Sequence, residues 1–252
     1  MTLQSLNRWK AFGLHLAISG LLALAVVTVV LMVWYPRPYF AAMGGETLLR
    51  LLIGVDVALG PLITLIIFDA AKPRLKYDLA AIAVLQVAAL LYGGYVMFEA
   101  RPVYNVFSVD RFDIAAANTI DAPSLAKAAE EFHALPLTGP RVVGARLPAG
   151  RKERMELTIE STMGGADLHE RPHLYVPYAQ VAGDAARVAK PMAKLAQRGP
   201  DAAERVRTFI DATGRTEASV GYVPVRARNQ DMAAIVDRKS GEIVGFLSIY
   251  PW

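Results

Sequence analysis

The chain has 252 residues, no cysteine and a formal net charge of +4. The missing thiols exclude disulfides, thiolate catalysis and cysteine-based metal sites, and the small charge excess gives no basic field for nucleic acid. Residues 1–100 carry 7 Lys/Arg and 5 Asp/Glu against 20 and 18 in residues 101–252, so a lipid-soluble part precedes a water-soluble one long enough for its own core.

Arg8 and Lys10 precede an apolar run from Ala11 to Trp34. A secretory signal starts in a similar way, but its apolar core spans only roughly 7–15 residues before a small-residue cleavage site. This run is longer and ends in Trp34-Tyr35-Pro36, an aromatic interface anchor, so it predicts an uncleaved spanning helix over about 11–34. His15, one turn inside, reads as an interfacial histidine reaching toward lipid headgroups. Residues 35–47 read as a short loop, broken by Pro36, Pro38 and Gly44-Gly45.

A second span is predicted over 48–68, with Asp56 near its middle and Gly60-Pro61 just after it. A carboxylate at that depth is expensive and is read by default as functional. Gly60, one turn on, lets another helix approach closely. Pro61 lacks an N–H and frees a carbonyl one turn back, which an α-helical count assigns to Val57. Asp56, Gly60 and Pro61 thus form a polar, indented patch. It is filled either by the flanking spans, through Thr28 or the more distant Gln86, or by a transmembrane helix of another protein. A third span is predicted over 79–98, carrying Gln86 and Gly93-Gly94.

Short-loop basic residues set the orientation. The N-terminal flank has two, the 69–78 loop three and the 35–47 loop one. The N terminus and second loop are therefore expected in the cytoplasm and residues 101–252 outside, in the periplasm of a Gram-negative cell. The predicted organisation is three transmembrane helices (1–100) followed by a compact α+β extracytoplasmic domain (101–252) with a C-terminal antiparallel sheet.

In that domain VYNVFSVDRFDIAA alternates as a half-buried strand does. Helices are predicted over 121–135, 151–162, within 178–197 as two pieces split at Pro191, and over 201–214 with Asp201 as cap. RVVGARL reads as a strand, SVGYVPVRAR as another, and MAAIVDRKSGEIVGFLSIY as a hairpin around Ser240-Gly241. These last strands are expected to form a central sheet. Trp252, directly after them, suits either a cover for the sheet's end or a plug for a partner's groove.

His169-Glu170-Arg171-Pro172-His173 matches H-E-x-x-H, which needs both imidazoles on one helical face to meet a metal. Pro172 inside the motif and Gly164-Gly165 before it predict a loop instead, so no metal site is expected. No glycine pair has a nucleotide-loop context, and no serine sits in G-x-S-x-G. No catalytic residue and no cofactor is expected.

RWKAFG (8–13), GVDVALGPLITL (54–65), KPRLKYDL (72–79), RPVYNVFSVDRF (101–112), PVRARNQDMAAIVDRKSGEIVG (224–245) and the final Pro251-Trp252 resemble the TfpX/TfpZ family of type IV pilin accessory proteins, related to the fimbrial protein FimB. The resemblance implies a non-catalytic inner-membrane protein that supports stability or assembly of a major pilin. Its implied partners are the pilin's transmembrane helix, the pilin head and the lipid bilayer. A periplasmic ligand sensor is the alternative, opposed by cytoplasmic segments of about ten residues that leave no room for an output module. A membrane-bound hydrolase lacks a nucleophile or metal site in the sequence.

Overall fold

The computed structural model describes residues 7–252 and divides into two compact units. The first comprises residues up to Trp34 together with Gly45–Glu99; the second comprises Tyr35–Gly44 and Ala100–Trp252.

In the first unit, α1 (Arg8–Val29) starts at Asn7, whose side chain accepts the Lys10 N–H. It runs into a π-helical turn, Val30–Trp34. Between the units' segments lies α2 (Tyr39–Ala42), a short helix of the second unit. Next come α3 (Gly45–Ile53), a second π-helical stretch (Gly54–Leu59) and α4 (Gly60–Ile67), which together make one continuous rod. Finally α5 covers Leu75–Glu99. The three rods, 8–34, 45–67 and 75–99, are long and apolar enough to cross a membrane. Leu21, Met32, Ile66 and Leu91 face outward, as suits helices whose solvent is lipid. Where α3 meets α5, a Cβ on Gly93 would lie 2.5 Å from Leu52 Cδ1, so glycine is what admits the contact.

The second unit is built on one mixed sheet in the order β4-β3-β1-β2-β6-β7-β8. Its strands are β1 (Pro102–Ser108), β2 (Arg111–Ala116), β3 (Arg141–Ala145), β4 (Tyr175–Pro177), β5 (Lys190–Pro191), β6 (Val220–Arg226), β7 (Met232–Asp237) and β8 (Ile243–Leu247). β1 is antiparallel to β2 and parallel to β3; β2 is parallel to β6; β6, β7 and β8 are successively antiparallel, and β5 pairs with β6. The helices are α6 (Ala122–Ala126), α7 (Arg151–Thr162), α8 (Ala182–Val188), α9 (Met192–Ala196) and α10 (Pro200–Thr213). α7 ends at Gly164 and α10 at Gly214, both at positive φ.

Several expectations are corrected. VYNVFSVDRFDIAA is two strands, which turn at Ser108-Val109-Asp110; Val109 takes φ 57°, a left-handed value rarely adopted by a β-branched residue. Neither strand is half-buried: every residue of β1 is buried, because both faces are covered. The helix after Asp121 stops at Ala126, since the chain turns to bury Phe132 edge-on against Tyr104 and Tyr175. Gly199, not Asp201, caps α10, with Pro200 in its first turn. The C-terminal strands do form an antiparallel sheet, β6-β7-β8, as expected, with β8 at its outer edge.

The loop between the first two rods belongs to this unit. The Ala42 carbonyl accepts the Asn229 and Gln230 N–H groups at 2.9 and 3.2 Å. Tyr39 packs on Phe246, and its hydroxyl accepts from Asn105, a fully buried amide of β1. A second buried polar group, Asp113 of β2, is held by Arg226 Nε at 2.5 Å and Arg111 Nε at 3.1 Å. Arg226 also reaches Asp167 at 3.1 Å, which ties β2, β6 and the segment after α7 together. Removing one partner of such a pair costs more than the intact pair contributes, because the other charge stays desolvated. Arg226→Met is therefore expected to destabilise the full-length chain by about 2–4 kcal/mol, and Asp113→Leu/Arg226→Met by less than the sum of the two single changes. Thermal unfolding in detergent measures both; additive losses would show that the pair is not coupled.

Candidate functional site

The predicted patch lies on the second rod. Asp56, Gly60 and Pro61 are all buried among the three helices. The rod is π-helical just before Pro61: the Gly60 N–H bonds to the Val55 carbonyl, five residues back. In that register the donor absent from Pro61 would have served the carbonyl of Asp56. This corrects the α-helical count, which points to Val57. Gln86 of α5 supplies the missing donor, with Nε2 3.0 Å from the Asp56 carbonyl oxygen.

Gly60 makes this reach possible. A Cβ there would lie 2.0 Å from Gln86 Nε2, so the amide occupies the space a side chain would fill. Gln86 Oε1 meets His15 Nε2 at 2.7 Å, and His15 Nδ1 meets Thr64 Oγ1 at 2.6 Å. An amide oxygen only accepts, so Nε2 carries the proton; the Nδ1 of the neutral ring then accepts from the Thr64 hydroxyl. Thr64, His15, Gln86 and the Asp56 carbonyl thus form a chain of hydrogen bonds linking all three helices.

Two expectations fail here. His15 is a node between helices and not a histidine reaching for headgroups. Thr28 is not a partner for Asp56, because its hydroxyl bonds the Leu24 carbonyl of its own helix at 2.8 Å. The missed signal is the spacing of His15 and Ser19: the two lie four apart, one face of an otherwise oily helix, and Ser19 is buried. The Asp56 carboxyl lies outside the hydrogen-bond chain. The residue is 6% exposed, and neither of its carboxyl oxygens has a hydrogen-bond partner among the described residues.

Trp252 lies in the second unit. Its Nε1–H donates to Asp231 Oδ2 at 2.8 Å, and Lys190 Nζ stands 5.5 Å from its ring centre. The Tyr222 hydroxyl donates to the Pro251 carbonyl beside it. The residue is half-buried and pinned between Lys190 at the start of β5 and Asp231 just before β7.

Sequence reasoning missed the charged centre of the second unit. A cleft of about 500 Å³ runs between the β1–β2 turn, α7 and Asp167–His169, and a neighbouring one of about 470 Å³ includes Thr119, Glu170 and Arg226. Asp113 and His169 line both. Burial alone would raise the Asp167 carboxyl; the Leu168 N–H, His169 and Arg226 outweigh it and hold it below the ordinary carboxylate range. The H-E-x-x-H stretch forms two 3₁₀ turns, 168–170 and 172–174, so its histidines diverge. His169 stands by Asp167 and Glu170, whereas His173 Nδ1 meets Ser124 Oγ at 2.9 Å. Asp121 accepts the Ser124 N–H and so caps α6 instead of orienting the imidazole of a triad. The charges here are paired with one another, an arrangement that fixes loops to the sheet.

The family model for fimbrial assembly protein FimB matches residues 4–44. The fimbrial assembly protein of serogroup E1 of Dichelobacter nodosus is 32% identical over 91% of this chain and 90% of its own length. That of serogroup I is 34% identical over the same shares, and that of serogroups C1 and C2 is 38% identical over 44% of this chain and 86% of its own length. No solved structure matches the chain significantly.

The hydrogen-bond chain makes a sharp expectation. Gln86→Leu strands the Asp56 carbonyl and His15 Nε2, and Gly60→Ala pushes the same amide away. Each is expected to cost about 1–3 kcal/mol, since hydrogen bonds between membrane helices average roughly 0.6 kcal/mol and reach about 1.7. The double variant should lose no more than the worse single one. Unfolding titrations with a denaturing detergent test this, and additive losses would contradict it.

Proposed function

The chain belongs to the fimbrial assembly protein family, and from that premise we propose that it is a non-catalytic inner-membrane factor that supports stability or assembly of its major pilin. Three rods able to cross a membrane and 30%-range identity along nearly the whole chain agree with that reading. Residues 35–44 and 100–252 pack as one unit, which supports the reading that three crossings leave them on one side of the bilayer. In this reading the basic flanks favour the periplasm for that side and the cytoplasm for the N terminus. Alkaline phosphatase fused after residue 115 should then be active and fused after Lys72 inactive. The opposite pattern overturns the orientation.

The observation that carries the contact with pilin is the Asp56 carboxyl: enclosed by the three helices, with no donor for either oxygen among the described residues. A group that costly is kept in a membrane helix for a use. The Gly60 indentation is filled by Gln86, which leaves the buried acid as the polar group of the patch that has no hydrogen-bond partner among the described residues, so a further helix would reach it only as the three helices part. In this reading the pilin's transmembrane helix engages the Asp56 side of the π-helical stretch before Pro61 at least transiently. Trp252 is the candidate contact for the pilin head, held in place by Asp231.

Asp56→Asn keeps a polar, hydrogen-bonding side chain of the same shape and should be mild. Asp56→Leu should reach normal membrane levels yet co-purify at least ten-fold less pilin and fail to support piliation. Degradation of Asp56→Leu would make the acid a structural tie, and normal piliation would refute the contact.

A further inference from the structure

The two edges of the sheet are treated differently. β4, at one end, is three residues long and finishes in Pro177, which blunts it. β8, at the other end, is Ile243-Val244-Gly245-Phe246-Leu247, with neither a charge nor a proline. Proteins ordinarily protect such an edge with Lys, Pro or a bulge, because its unpaired N–H and C=O groups template another strand. The only irregularity in the β7–β8 ladder lies between Ile235 and Val236, near the hairpin end, and leaves the Leu247 end regular.

A groove of about 540 Å³ runs beside that regular end, between β8 and α10. Asp201, Glu204 and Thr208 stand along α10, and Phe209 and Leu247 form the apolar floor. A Cβ on Gly245 would come within 2.8 Å of the Phe209 ring, so glycine lets the ring lie against the strand. Arg205 donates to the Ser248 carbonyl at 2.9 Å and closes one end. Asp201 and Glu204 form no ion pair among the described residues and outnumber the one cation of the lining, Arg205, so the rim is net acidic.

We propose that β8 and this groove take an extended segment of the pilin subunit, added as one more strand of the sheet, with an apolar side chain between Phe209 and Leu247 and a basic one against Asp201 and Glu204. This rests on the reading of the chain as a pilin assembly factor. Main-chain pairing supplies affinity, and the floor and acidic rim supply specificity. A second copy of this chain is a poorer occupant: its own β8 carries no basic residue to meet the rim.

The test replaces Thr208 by p-benzoylphenylalanine in the full-length chain and irradiates membranes that also contain the pilin. Met163, highly exposed after α7, takes the same photoprobe as control. Thr208 should give a pilin adduct and Met163 none. Glu204→Lys, an exposed reversal of charge, should lower the Thr208 adduct at least five-fold with unchanged chain levels. Co-purification of pilin with the wild-type chain is read separately. If pilin co-purifies but Thr208 gives no pilin adduct, or links two copies of this chain, the groove proposal is overturned and the assembly reading stands. An adduct undiminished by Glu204→Lys removes the acidic rim from the proposal and overturns it as stated. If wild-type chain captures no pilin at all, the assembly reading falls and takes the groove proposal with it.

Discussion

A backbone carbonyl without a donor is costly in a bilayer, where no water can replace the lost bond. Pro61 creates one such carbonyl, and the arrangement of the membrane helices follows from how it is satisfied. The π-helical register places the orphan on Asp56. Gln86 crosses from the third helix to fill it, and only a glycine at position 60 leaves room for the amide. The far side of that amide fixes the His15 tautomer, and His15 in turn engages Thr64. One missing N–H thus specifies three side chains and a glycine on three helices. The Asp56 carboxyl is what this chain of bonds leaves over.

The second unit meets a similar constraint with water outside it. Its central hairpin is covered on both faces, so the polar positions of an alternating strand are driven inside. Asn105 finds the Tyr39 hydroxyl and Asp113 finds two arginines. The first of these draws residues 35–44, a loop by sequence position, into the packing of a sheet that begins near residue 100. The second fixes the segment around Asp167 to the sheet through Arg226.

The three long helices were legible because oily runs of bilayer length have few other uses. α7, α10 and the β7–β8 hairpin were legible for local reasons: glycines at positive φ and an Asp237 side chain that accepts the Lys239 and Ser240 N–H groups. The polar seam was not, because depth matching names residues at one level of the bilayer without showing which helix faces meet; the π register explains only why the freed carbonyl is that of Asp56. The β1–β2 turn was hidden because tight turns are announced by Gly or Asn, and here Val109 takes the left-handed conformation. Burial of Asn105 and Asp113 was hidden because alternation marks polar positions as wet, and only tertiary cover makes them dry. Of the candidate residues, Asp56, Gly60 and Pro61 lie together where the π-helical stretch meets α4, whereas the His15 and Gln86 contacts depend on helix pairing that one helix cannot reveal.

Membership of the fimbrial assembly protein family, a membrane acid with no hydrogen-bond partner for its carboxyl among the described residues and a sheet edge without charge or proline fit the proposed factor that holds a subunit instead of transforming it. The most direct measurement is the half-life of the membrane-bound major pilin, followed by pulse–chase together with a count of surface pili, in cells lacking this chain and in cells where it is restored. The account predicts faster pilin loss or fewer pili without the chain and recovery of both on restoration. Unchanged pilin half-life and unchanged piliation in its absence would contradict it.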